Sequence, residues 1–477
     1  MIRSFAARGG SMKTSKLGFS LSLALACAFN FCLVLSTQAQ NVSFETLAHF
    51  HGHGASVNSL VQGPDGNFYG AGGYPGQVVR MTPAGQLTTI YRFCSLANCA
   101  DGSAPHSPIL GSDGNLYGTT IAGGSSHVGV VYRMTLDGEE TILHDFCSSC
   151  AGEDGPNPII QASDGNFYGT TFLGGEFDDG SLFRITPTGE FTVLHQFCSQ
   201  QNCIDGSLPE DVIQGIDGNL YGATYNGGSH ASGAIYKMTL SGSYEVIYNS
   251  CEFCSDGASP SNIVQDANGN FFGVTQASAP NLFELTSTGE YIVLNTFHGD
   301  TGWPFAGVLV GIDGNLYGTL PGSVGYGSGD SGSVFSFTSS GQYTTLHTFF
   351  CCGNQLYSNE VERLPIQATD GSFYGTTAFG PGSDVPGPGT IYRLSVGLGP
   401  LVETVPTGGK VGSTILILGN NLTGTTSVTF NGVPASFTVE SDTYIKATVP
   451  AGAATGVVSV LMPSGTLNSN PQFAVTK

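Results

Sequence analysis

The chain has 477 residues, of which 10% are charged, 40% hydrophobic and 70 are glycine, with 14 basic against 35 acidic side chains. Glycine at about twice its average usage, with charge far below the usual share of roughly a quarter, excludes a disordered polyelectrolyte. The net charge of −21 excludes nucleic acid and anionic lipid heads as partners, since both repel such a surface.

At the N-terminus Lys13 and Lys16 precede an apolar run over residues 17–35, and Thr37-Gln38-Ala39 offers small residues for cleavage. Residues 1–39 read as an export signal, with Met12 an alternative start. An uncleaved membrane anchor is the rival reading, because the run approaches the length that spans a bilayer. No later segment is long and apolar enough to span one. Cleavage after Ala39 removes four basic residues and no acid, leaving 10 basic against 35 acidic, a net of −25. The product is expected outside the cytoplasm, whether periplasmic, on the cell surface or in the medium, as a monomer with no membrane contact after cleavage.

From residue 41 to 397 one unit repeats. Its marker is Asp-Gly-Asn-(Phe/Leu)-Tyr-Gly, at Asp65–Gly70, Asp113–Gly118, Asp164–Gly169, Asp217–Gly222 and Asp313–Gly318, with variants at Asn268–Gly273 and Asp370–Gly375. The final glycines lie 48, 51, 53, 51, 45 and 57 residues apart, room for four short strands per unit. Periods of this size mark solenoids and propellers. In each unit a short apolar strand meets the Asp-Gly turn, which needs residues that tolerate positive φ. A second strand carries Tyr-Gly, and a Gly-rich loop leads to a third, such as Val131–Thr135. A turn such as Thr186–Gly189 leads to a fourth, such as Thr192–Phe197. Strands of this length between glycine turns, with no helical periodicity, predict an all-β fold.

The ends of the array fit one another. Residues 46–50 read as a fourth strand with none before it, and the seventh unit has three strands and lacks its fourth. A seven-bladed β-propeller closed by the N-terminal strand accounts for both, since closure removes exposed sheet edges.

The unit resembles the GloVer repeat of Gloeobacter and Verrucomicrobia. Asp113-Gly114-Asn115-Leu116-Tyr117-Gly118-Thr119-Thr120, Gly123-Gly124 and Gly129-Val130-Val131-Tyr132 carry the resemblance, which extends over residues 43–396. That family implies exported repeat proteins and no established chemistry. More distantly, the unit resembles propellers of two-component sensors and of streptogramin lyase, with no catalytic motif of the latter.

Residues 399–477 differ from the repeat. Pro406, Gly408-Gly409, Val411-Gly412, Thr414–Gly419, Asn421-Leu422, Val428–Val433, Ile445–Pro450 and Gly456–Val460 resemble an IPT/TIG domain. The resemblance implies an immunoglobulin-like β-sandwich. The four-residue link at 397–400 implies that the two parts sit close together.

Ten cysteines remain after the signal, in five close pairs: Cys94/Cys99, Cys147/Cys150, Cys198/Cys203, Cys251/Cys254 and Cys351/Cys352. In an exported chain they are expected as disulfides; metal binding through Cys-x-x-Cys is the rival. The adjacent Cys351 and Cys352 are the pair least suited to bond to each other. No metal or cofactor is expected.

Loops of variable length on a rigid scaffold are where recognition resides. In a propeller those joining second to third strands, and one unit to the next, share one face. Trp303 and Tyr326 break the repeat there and are the candidate ligand-binding aromatics, able to stack on sugar rings or anchor a protein. The leading expectation is an exported binding protein that recognises a glycan or protein partner on this face. The alternative is a polysaccharide or lactone lyase or hydrolase with carboxylates at the channel mouth. Its weak catalytic candidates are Glu210, Glu360 and Glu362, read as non-repeated acids of inter-blade loops and as ordinary solvated charge unless they converge. The recurring Asp101, Asp154, Asp205 and Asp256 (with Asp300 offset) read as turn formers rather than a cation ring. His144, His195 and His347 and the recurring Arg80, Arg133, Arg184 and Arg393 read as packing residues.

Overall fold

The structure, a computed structural model, describes residues 42–50, 56–147, 154–251, 256–277, 280–297, 306–321, 330–350, 363–380 and 387–476. Among these the fold is all-β, with only two short 3-10 turns, Ala97–Cys99 and Gln201–Cys203. No described helix is long and apolar enough to cross a membrane. The expected export signal lies outside the described residues.

Each repeat forms one antiparallel sheet whose strands pair in chain order. The third is representative, with Asp154–Gln161, Phe167–Leu173, Ser181–Ile185 and Phe191–Gln196 side by side. In the second, the leading strand is split into Ser103–Pro105 and Ile109–Leu110. The seventh sheet supplies Ile366–Gln367, Phe373–Gly380 and Gly387–Ser395, and its outer place is taken by Ser43–His49 from the N-terminal end. Phe44 lies opposite Leu394 in that pairing, and Glu45 meets Arg393 at 2.6 Å.

The repeated residues explain the repeated geometry. Gly66 sits at φ +77 in the Asp-Gly-Asn turn, where a side chain would be strained. The Tyr69 hydroxyl donates to Asp65 at 2.8 Å, and the same bond recurs at Tyr117–Asp113, Tyr168–Asp164, Tyr221–Asp217, Tyr317–Asp313 and Tyr374–Asp370. The Tyr-Gly glycine makes room for the third strand's aromatic, since a Cβ on Gly118 would lie 2.5 Å from the Tyr132 hydroxyl.

Successive sheets pack face to face. Tyr69, Val78 and Phe93 of the first meet Leu116, Tyr132 and Met134 of the second. The series ends where it began, with Tyr374 and Ile391 of the seventh sheet packed among Phe68, Val79 and Met81 of the first. Each such large side chain, buried, contributes about 1.5–3 kcal/mol. A second tie runs along the leading strands, where a repeated glutamine accepts a backbone N–H of the preceding sheet. Gln161 accepts from Ser112, Gln214 from Ser163, Gln265 from Ile216, Gln367 from Ile312, and Gln62 from Thr369. This propeller-like arrangement brings the leading strands together around a common centre.

Residues 402–476 form a sandwich. One sheet holds Glu403–Val405, Thr414–Leu418, Tyr444–Thr448 and Phe437–Val439; the other holds Val433–Pro434, Ser427–Phe430, Val458–Met462 and Gly465–Asn468. Its core includes Ile415, Ile417, Phe430, Ile445, Val460 and Phe473. The sandwich rests on the Asp-Gly-Asn side of the repeat sheets. Thr443 donates its hydroxyl to the Pro64 carbonyl, Asn420 donates to Thr369 at 2.7 Å, and Asn470 donates to the Val310 carbonyl at 2.9 Å. Leu418 enters the core shared by the first two sheets. The uniform turns are therefore a seat for the C-terminal sandwich.

Candidate functional site

Against this uniform framework one position in or just before the inner part of each leading strand changes from copy to copy. Four residues before Gln62, Gln161, Gln214, Gln265 and Gln367 stand Asn58, Asn157, Glu210, Ser261 and Arg363. The same step back from Leu110 and Val310, which replace the glutamine, reaches His106 and Ala306. In the first three sheets this residue donates to the next sheet. Asn58 bonds the Pro105 carbonyl at 3.2 Å, His106 bonds that of Pro156, and Asn157 bonds that of Pro209 at 2.9 Å. The fourth sheet breaks the series by placing there the carboxyl of Glu210, which can donate only while protonated.

The sequence pattern puts Glu210 in an inter-blade loop, and the structure corrects this. Glu210 lies within the leading strand Ser207–Gln214 and is half-buried. Pro209 pairs with Thr224 and Val212 with Gly222, so Glu210 and Asp211 together oppose Ala223 alone. Neighbours on a regular strand point to opposite faces, but a bulge re-aims them. The backbone is anchored there, since Thr170 donates its hydroxyl to the Glu210 carbonyl at 2.6 Å.

The electrostatics tie distant sheets together. Burial, and next the charge of Asp211, push the Glu210 carboxyl up to about 7; Arg363 opposes the rise. Burial pushes Asp211 up to about 6, again against Arg363. Burial and the same arginine press His106 down to about 4, against its bond to the Pro156 carbonyl. Arg363, from the seventh repeat, thus acts both on His106 of the second and on Glu210 and Asp211 of the fourth. An acid held protonated near neutrality beside a second carboxylate can donate a proton or hydrogen-bond a polar ligand.

The recurrent residues have structural partners. Buried Asp101 accepts from Ser95 N–H, Ser95 hydroxyl, Leu96 N–H and the Tyr91 hydroxyl. Asp205 accepts from both Ser199 groups and Gln200 N–H, and Tyr248 and Cys251 donate to Asp256. These acids close their loops on themselves. His144 stacks on Phe191, His195 on Tyr244 and His347 on Phe44, each ring meeting an aromatic of the next sheet's outer strand. Arg184 donates to Thr192 at 3.4 Å and Arg393 to Glu45.

Cys94–Cys99 and Cys198–Cys203 are disulfides, and Cys147 and Cys251 are disulfide-bonded as well. Cys150, Cys254, Cys351 and Cys352 lie outside the described residues, as do Trp303, Tyr326, Glu360, Glu362 and Asp300. Asp179 approaches Cys198 and Cys203 within 4.8 Å. Their bond to each other removes the thiolates that a metal would take. His106, Asp211 and Arg363 carry no motif that marks them in the sequence. The available signal was the changing column beside the constant glutamine, which appears only when the leading strands are aligned on that residue.

Comparison with known proteins agrees with this architecture. The Gloeobacter/Verrucomicrobia repeat matches residues 30–212 and 208–433, and the IPT/TIG domain matches 401–475. A catalytically inactive virginiamycin B lyase from Staphylococcus aureus, determined with quinupristin, is similar in fold. Its TM-score is 0.51 at 13% identity, over 74% of this chain and 99% of that one. The extracellular domain of a putative hybrid two-component system from B. thetaiotaomicron has a TM-score of 0.50 at 12% identity, over 88% of this chain and 45% of that one. Both likenesses concern the fold. A comparison with curated proteins finds no match.

Proposed function

This chain belongs to the Gloeobacter/Verrucomicrobia repeat family, and on that footing we propose that it is an exported, monomeric binding protein built on a closed seven-bladed propeller. It recognises a polar, polyhydroxylated ligand such as a glycan end at the open mouth of the propeller's centre. The observation that carries this reading is the changing column, in which Glu210, with Asp211 beside it, faces the field of Arg363. Carboxylates, a guanidinium and amides are the groups that hydrogen-bond sugar hydroxyls. The loop aromatics Trp303 and Tyr326 would extend the surface by stacking. With the C-terminal sandwich against the turn side, the loop side is the one left for a ligand. A glycan array of the wild-type chain against Glu210→Gln/Asp211→Asn and Arg363→Ala tests the assignment. Binding that is lost in both variants supports it; binding that survives in both, or none in the wild type, overturns it. Trp303→Ala separates a loop contribution from the central one.

One observation favours a second reading, that of a lyase or hydrolase. Burial pushes the Glu210 carboxyl up to about 7, and a carboxyl that keeps its proton near neutrality can act as a general acid. Turnover of a polysaccharide or lactone that Glu210→Gln abolishes, with binding retained, would favour it over binding alone.

A further inference from the structure

A cavity of about 1040 Å³ lies between the turn ends of the fourth to sixth sheets and the C-terminal sandwich. That is large enough for a small organic molecule. Ile216, Phe272, Ile312 and Phe337 give it an apolar wall, and Asn470 and Gln472 reach it from the sandwich. No lysine, arginine or histidine is among its lining residues, whereas Asp266 and Glu284 are.

The carboxylates stand where the repeat has changed. Opposite the Tyr-Gly tyrosine, the third strand places Arg80, Arg133, Arg184, Lys237 and Arg393 in five sheets. The cation supports the tyrosine–aspartate pair, as where Lys237 meets Asp217 at 3.2 Å. In the fifth sheet the corresponding pair is Phe272 and Glu284. Three members change together, since Asn268 also stands where the other turns have aspartate. Asp266 instead closes this turn, accepting from Asn268 N–H at 2.9 Å and Asn270 N–H at 2.8 Å. Asn270 donates to Glu284 Oε1 at 2.9 Å. The change replaces a cation by a carboxylate and a hydroxyl by a bare ring. Burial, then the charges of Asp266 and Glu290, raise the Glu284 carboxyl above its ordinary value. In the sixth sheet, Val310 stands in place of the glutamine and gives its carbonyl to Asn470.

We propose that this cavity binds an organic ammonium ion with an apolar body. Glu284 and Asp266 meet the charge, and Phe272, Ile312 and Phe337 pack against the body. The ring of Phe272 can receive the cation on its face, and the amides of Asn470 and Gln472 bring the sandwich into the site. The site is separate from the one at the propeller's centre.

The test is ligand-observed NMR titration of the full chain with phenethylammonium, and with 2-phenylethanol as the neutral counterpart. The ammonium is expected to bind at least fivefold more tightly, and Glu284→Gln to weaken it about threefold to fivefold, since one partly screened charge contact is worth up to about that factor. Glu284→Arg, which installs the cation that five of the other sheets carry, should abolish binding. Should Glu284→Gln fail to fold, Asp266→Asn supplies the same comparison. Absence of binding, equal binding of the alcohol, or binding unchanged in a folded Glu284→Gln variant overturns the proposal. Glu210→Gln should leave ammonium binding intact, so that failure at the centre and failure here read out separately.

Discussion

The side-chain amide of Asn157 donates to both the Pro209 carbonyl and the Thr170 hydroxyl, each at 2.9 Å. Thr170 in turn donates to the Glu210 carbonyl. One asparagine of the third sheet thereby fixes the bulge that carries Glu210 and Asp211. Asn157→Leu is expected to lower stability by about 1–3 kcal/mol, the range for leaving buried partners unmet. Chemical denaturation measures this. Any ligand held at the centre should be lost beyond what stability explains.

The tyrosine–aspartate pairs make a second prediction, because one sheet lacks both members. Tyr168→Phe removes the bond to Asp164 and should cost about 1–2 kcal/mol by thermal or urea unfolding. The reverse change, Phe272→Tyr, should return none of it. Its hydroxyl would face Asn268 in place of the aspartate and Glu284 in place of the cation.

Stability should depend on pH through the half-buried acids. Burial pushes Glu403, in the sandwich strand Glu403–Val405, from 4.5 up to about 7. An acid whose folded pKa is raised holds its proton more tightly when folded, so its contribution is present below the unfolded value. It is lost as pH rises through the folded one. Glu210 and Asp211 act in the same direction. His106, pressed from 6.5 down to about 4, acts oppositely, with stability lost as pH falls through that interval. Glu403→Gln should therefore match the wild type near pH 4.5 and exceed it by on the order of 2 kcal/mol at pH 8. Melting temperatures across that interval test the trend, and a constant offset would refute it.

Asp205 accepts three hydrogen bonds within the loop closed by Cys198–Cys203. Asp205→Ala leaves those donors unmet and should cost about 2–4 kcal/mol. It should also make this loop the first site of limited proteolysis, since such opening is local. His195, which lies 3.5 Å from Asp205, should show no matching loss on His195→Phe, because its ring stacks on Tyr244.

Local chemistry was legible in the sequence. Each strand follows from a short apolar run set between glycine turns, each turn from a residue pair that accepts positive φ, and the pairing of Ser43–His49 with Gly387–Ser395 answers a deficit visible by counting. The recurring Asp101 and Asp205 read correctly as loop formers because their partners lie five or six residues away. Glu210 was misplaced for the opposite reason. A strand that begins with Ser-Leu-Pro and contains two acids reads as a loop, because its alternation is broken by the bulge that re-aims those acids.

By itself, then, the sequence determined the repeat, its four-strand unit, the turn geometry and the C-terminal sandwich, all set by contacts within a few residues or between neighbouring strands. Only the tertiary structure decided what faces the centre and what covers the turns. Glu210 and Arg363 stand 153 positions apart, and their mutual field depends on how seven packed sheets turn their leading strands toward one another. The cavity beside Glu284 likewise exists only because the sandwich seats on the turn face, through bonds such as Asn470 to Val310. Long-range convergence and desolvation are properties of the assembled layers, and no local pattern encodes them.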